Sequence, residues 1–134
     1  MKSLRLESLV LGVVLVLSSL SLARAAEQPH KWALLIGCEK YHRANPLRYT
    51  VNDVVRIGES LRLRGDYQEG NILEIVDTAS NPRFQPLRTS LMAELPEFLA
   101  KPGPEDHILV YFSGHGFRDK DGKLYMAPLD CDPK

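Results

Sequence analysis

The chain has 134 residues, with 17 basic and 17 acidic side chains and a formal net charge of zero. The length suits one small domain, and the charge balance offers no basic surface for nucleic acid or an anionic membrane. Two cysteines, Cys38 and Cys131, are too few for a disulfide framework and leave a single bridge open in an oxidising compartment.

The first element is a targeting segment. Lys2 and Arg5 precede an apolar run over 9–22, and Ala23-Arg24-Ala25 then supplies an A-x-A cleavage site. This pattern predicts a signal peptide over 1–25, with the mature chain over 26–134 exported to the periplasm or the extracellular space. The run falls short of the ~20 residues of a spanning helix, so no stable membrane anchor is expected after cleavage. Losing Lys2, Arg5, Arg24 and Glu7 leaves the remainder slightly acidic.

Residues 32–37, WALLIG, form an apolar run that ends at glycine and predict a first buried strand. A polar loop with Asn45-Pro46 follows. Thr50 then starts a helix: Thr50 and Asp53 fit a capping box, Val54, Ile57 and Leu61 give one apolar face, and Gly65 is the stop. Residues 71–76, NILEIV, predict a second strand. Pro86 suits the first position of a second helix, with Leu87, Leu91, Leu95 and Phe98 as its apolar stripe. Pro96 lies in that stripe and should kink or shorten it. Residues 108–112, ILVYF, read as a third strand buried on both faces, because a half-buried strand would alternate. Asp121-Gly122 predicts a hairpin turn, with 124–127 as the return strand.

Strand, helix, strand, helix, strand implies an α/β fold with a parallel sheet. The ends of the first and third strands and the start of the first helix should then share one edge, where sites in such sheets collect. His115 stands there between Gly114 and Gly116, and an imidazole can move a proton near neutral pH. The backbone N–H of Gly116 could serve as an oxyanion donor. Asp53 reads either as a helix-capping carboxylate or as an acid facing a cleft. Ser113 has no G-x-S-x-G elbow around it. Asp119 and Asp121 lack the further ligands of a calcium loop, and a solvated turn is the better reading.

ALLIG at 33–37, Tyr41, Leu47, Asn52-Asp53, VYFSGHG at 110–116 and GKLYMAPLD at 122–130 together resemble the caspase-like cysteine peptidases, above all the metacaspase-type and prokaryotic branch. The likeness covers about 32–132. It implies a caspase-haemoglobinase-like three-layer α/β/α sandwich with a mainly parallel sheet, truncated after the third strand and a hairpin. It implies an endopeptidase with a His/Cys dyad acting on peptide or protein substrates, with no cofactor beyond the calcium some relatives use.

In that likeness His115 matches the catalytic histidine and Gly116 the oxyanion-hole residue. Asp53 matches the acid of an S1 pocket that selects Arg or Lys, and Ser113 a serine beside it. The family's nucleophilic cysteine falls ~50 residues after the histidine, near 165 and beyond Lys134. Cys131, between Asp130 and Asp132, and Cys38 both lack the nucleophile's sequence context. The expectation is therefore a partial catalytic domain without peptidase activity as given, or a non-catalytic interaction module that keeps the fold. The third strand is expected to lie open along one edge.

Overall fold

A computed structural model describes residues 28–132; the signal peptide expected over 1–25 lies outside the described residues. Five strands and two helices follow in order: β1 (Lys31–Gly37), α1 (Thr50–Arg64), β2 (Ile72–Val76), α2 (Arg88–Leu99), β3 (His107–Ser113), β4 (Gly116–Arg118) and β5 (Leu124–Met126). β1 pairs in parallel with β2 on one side and β3 on the other, so the sheet order is β2-β1-β3. β4 and β5 form a separate antiparallel hairpin. The alternation read from the sequence and the parallel sheet it implied are both present.

The apolar run of β1 is explained by its central place. Ala33 through Ile36 are at most 1% exposed, and their side chains alternate between two cores. Leu34 and Ile36 join Ile75 and Phe98 beneath α2. Ala33 and Leu35 join Val54 and Val76 beneath α1. The sheet is thus sandwiched between helices, one on each face. Among the described residues, no helix is long and apolar enough to cross a membrane.

The structure corrects three local expectations. β3 is not buried on both faces: Ile108 is 45% and Val110 54% exposed. Its run is as apolar as that of β1, but it is an edge strand, paired only with β1 among the described residues. Leu109 and Tyr111 pack on the α1 side and Phe112 on the α2 side, whereas α2 leaves the Ile108 and Val110 positions uncovered.

The capping box of Thr50 and Asp53 does not form. The cap of α1 is Tyr49, held in the left-handed region at φ 73° with no side-chain cap bond. Thr50 is already helical, its hydroxyl buried and unpaired, and the Asp53 N–H donates to the Tyr49 carbonyl at 2.8 Å as in any helical turn. Asp53 therefore stands one residue too deep to reach back to the cap. Gly65 does end this helix, its N–H donating to the Leu61 carbonyl.

α2 starts at Arg88 rather than at Pro86, because Leu87 is extended (φ −78°, ψ 150°) and acts as the cap. Pro86 is fully buried, and its carbonyl accepts from the Leu129 N–H at 2.8 Å. The Arg88 N–H donates to the Asp130 carboxylate at 2.9 Å, so the first turn of α2 is satisfied by an acid distant in sequence. Pro96 falls inside α2, which ends three residues later.

Candidate active site

The carboxyl ends of β1 and β3 lie side by side. Gly37 is in register with Ser113, and the Cys38 N–H donates to the Ser113 carbonyl at 2.9 Å. α1 begins against the same edge: a Cβ on Gly37 would stand 2.9 Å from the Thr50 carbonyl oxygen and 3.0 Å from Val54. The three stretches expected to converge do so. Asp53 lies in the first turn of α1 with no cap to hold, and Ser113 is the last residue of β3, half-buried.

His115 follows β3 and opens the hairpin. Its Nε2 lies 2.7 Å from the backbone carbonyl oxygen of Asn45. A carbonyl only accepts, so Nε2 carries the proton and, in the neutral ring, Nδ1 keeps the free lone pair. The His115 N–H donates to the Tyr41 hydroxyl at 2.7 Å, and its carbonyl accepts from the Ala127 N–H at 2.9 Å. The ring also packs on Tyr41, with centroids 4.7 Å apart and planes tilted by 48°. Backbone and ring of His115 are both held by the segment 41–45.

A cleft of about 420 Å³ opens on this histidine, lined by Arg43, Asn45, His115, Gly116, Phe117 and Cys131 among others. The Ala127 N–H bond to His115 makes Gly116 and Met126 a non-hydrogen-bonded pair of the hairpin ladder. The N–H of Gly116 therefore points away from β5. Gly114 and Gly116 differ in what they serve. A Cβ on Gly114 would collide with the Tyr41 hydroxyl at 2.6 Å, whereas one on Gly116 would meet nothing closer than 3.5 Å.

Cys131 lines the same cleft as His115, a placement its sequence context did not suggest. Burial raises its thiol pKa, and the carboxylates of Asp130 and Asp132 raise it further. Cys38 is fully buried, and burial pushes its thiol to about 12. At that value its thiolate fraction at pH 7 is on the order of one in 100,000.

Asp119 is committed to the hairpin turn. Its carboxylate accepts from the backbone N–H groups of Asp121 and Lys123 and from the Tyr125 hydroxyl, and Gly122 turns the chain at φ 82°. Among the described residues, no three or more His, Cys, Asp or Glu side chains are grouped so as to hold a metal ion.

A family model, the caspase domain, matches residues 30–132. The chain belongs to the caspase-domain family. Metacaspase-1 of Schizosaccharomyces pombe is 32% identical over 94 residues, which cover 70% of this chain and 22% of that protein. Metacaspase-1 of Plasmodium berghei is 28% identical over 112 residues, covering 78% and 19%. Metacaspase-1B of Aspergillus terreus is 30% identical over 89 residues, covering 66% and 24%. This caspase domain thus spans between 19% and 24% of the length of these three relatives. The β2-β1-β3 sheet between two helices agrees with a caspase-like fold.

The sequence reading found His115 and Gly116 from the strand end and the flanking glycines. It missed Asn45, whose contribution is a main-chain carbonyl that any residue would supply. It named Tyr41 only as part of the likeness, although a lone tyrosine just past a buried strand was a signal that its hydroxyl needed a partner.

Proposed function

We propose that this caspase domain supplies the histidine half of a cysteine endopeptidase site that cleaves proteins after Arg or Lys. The observation that carries the reading is the Nε2 bond to the Asn45 carbonyl, which leaves Nδ1 as the proton acceptor beside the cleft. In this chemistry a thiol gives its proton to Nδ1 and attacks the scissile carbonyl, and the imidazolium then protonates the leaving amine. The N–H of Gly116, left out of the hairpin ladder, would donate to the oxyanion. Asp53 and Ser113 would form the S1 pocket, where a carboxylate without a capping duty is suited to a basic P1 side chain. The domain would act outside the cytoplasm once the segment 1–25 is removed.

The nucleophile belongs to a loop near position 165 in the family pattern. Cys38 and Cys131 are both held as thiols, which disfavours either as a substitute. The chain as given is therefore inactive in this reading. A second reading, a non-catalytic interaction module with the same fold, is favoured by the apolar surface at Ile108 and Val110.

The test is a fluorogenic peptide assay with Arg or Lys at P1 on the purified full chain, with Cys38→Ala and Cys131→Ala as controls. No cleavage is expected. Robust cleavage lost in either variant would overturn the assignment of the nucleophile to another segment.

A further inference from the structure

We propose that Tyr41 is a positioning residue for His115, its hydroxyl fixing the backbone from which the imidazole reaches Asn45. The inference rests on reading His115 as the base of the site. Tyr41 is 7% exposed, and its oxygen sits between two main-chain groups from either end of the hairpin. It accepts from the His115 N–H at 2.7 Å and donates to the Ala127 carbonyl at 3.1 Å. The Ala127 N–H in turn donates to the His115 carbonyl, so the Tyr41 hydroxyl and the main chains of His115 and Ala127 close a ring of hydrogen bonds. His115 has neither its N–H nor its C=O free to turn.

The ring of His115 is held by the same segment. Its face meets the Tyr41 ring at 4.7 Å, and its Nε2 reaches the carbonyl of Asn45, four residues further on. Rotating the His115 peptide would carry the Cβ with it and lengthen the Nε2 bond. The hydroxyl therefore acts on the proton inventory of the imidazole through the backbone. It does not touch the nitrogen that would accept a proton. Gly114 completes the device, because its missing side chain is what admits the Tyr41 oxygen: a Cβ there would lie 2.6 Å from it. Burial raises the Tyr41 pKa well above the ordinary phenol value, so the hydroxyl stays a donor throughout the range in which a histidine titrates.

Tyr41→Phe keeps the ring packing and removes only the oxygen. In the isotopically labelled full chain, the His115 amide should then exchange with solvent about tenfold faster or more, for want of its acceptor. The ring N–H on Nε2 should lose its protection, and the imidazole nitrogen shifts should move from a single Nε2-protonated form toward a mixture of tautomers. Methyl signals of Leu34 and Ile36 report whether the core is intact. Unchanged His115 amide and ring signals would overturn the proposal. If Tyr41→Phe disturbs those methyls, 3,5-difluorotyrosine at position 41 keeps the hydroxyl but weakens it as an acceptor. The His115 amide proton should then move upfield, and an unmoved resonance would overturn the proposal equally. These readouts need no nucleophile, so they separate from the peptidase reading. Failure of catalysis in any longer form would remove the role of His115 and leave the clamp measurement standing.

Discussion

Two glycines flank His115, and the same substitution at each should have opposite results. A Cβ on Gly114 would lie 2.6 Å from the Tyr41 hydroxyl, 2.7 Å from Phe112 Cζ and 3.2 Å from Cys38 Cβ. Ordinary carbon contacts need about 3.5–4.0 Å, so Tyr41 and Phe112 would each have to withdraw by about 1 Å. Tyr41 is buried and bonded to His115 and Ala127, so its withdrawal breaks both bonds. Overpacking of about 1–3 kcal/mol and two lost hydrogen bonds of about 1 kcal/mol each place Gly114→Ala at about 3–5 kcal/mol of destabilisation. Gly116 has no contact nearer than 3.5 Å and no positive φ, so Gly116→Ala should stay within about 0.5 kcal/mol of the parent. Urea unfolding followed by the fluorescence of Trp32, the single tryptophan, measures both. A Gly114→Ala variant as stable as the parent, or a Gly116→Ala variant equally damaged, would refute the reasoning.

Two further outcomes are expected. Asp106 accepts from the N–H groups of Gly103 and His30 and from the Trp32 indole, which hold its carboxyl at about 2, below the ordinary 3.8. Its contribution is therefore complete above about pH 4 and is lost as pH falls toward 2, so the gap in stability between parent and Asp106→Asn should close over that window; a gap constant with pH would sink the assignment. Val110→Lys, at a position 54% exposed on β3, should shift stability by no more than about 0.5 kcal/mol in urea unfolding; a larger loss would show that the Val110 side chain is covered in solution.

The fold was legible where a pattern depends on near neighbours. The runs at β1 and β3, the Val54, Ile57 and Leu61 face of α1, and the Asp121-Gly122 turn each state a local requirement. Which apolar run sits in the centre of the sheet depends on how the chain crosses over, and β1 and β3 look alike in composition. Thr50 does begin α1 as read, whereas the cap of α1 and the start of α2 were misread. The first turn of α2 is set by Asp130, a partner far along the chain. At the site, His115 announced itself by its residue type, whereas Asn45 contributes only main chain. Cys131 reaches the cleft because the exit from β5 is pinned to α2 and to residue 42, which no spacing rule conveys.

That pinning has a consequence for a nicked molecule. The Tyr41 hydroxyl holds Ala127, the His42 N–H holds the Leu129 carbonyl, Pro86 holds the Leu129 N–H, and Asp130 holds Arg88. A cut within the exposed turn at 120–122 would leave the downstream strand attached through these noncovalent ties. The covalent loop of the hairpin is then dispensable for keeping the imidazole in place, and the piece carrying 124–132 could be added back in trans as a separate peptide.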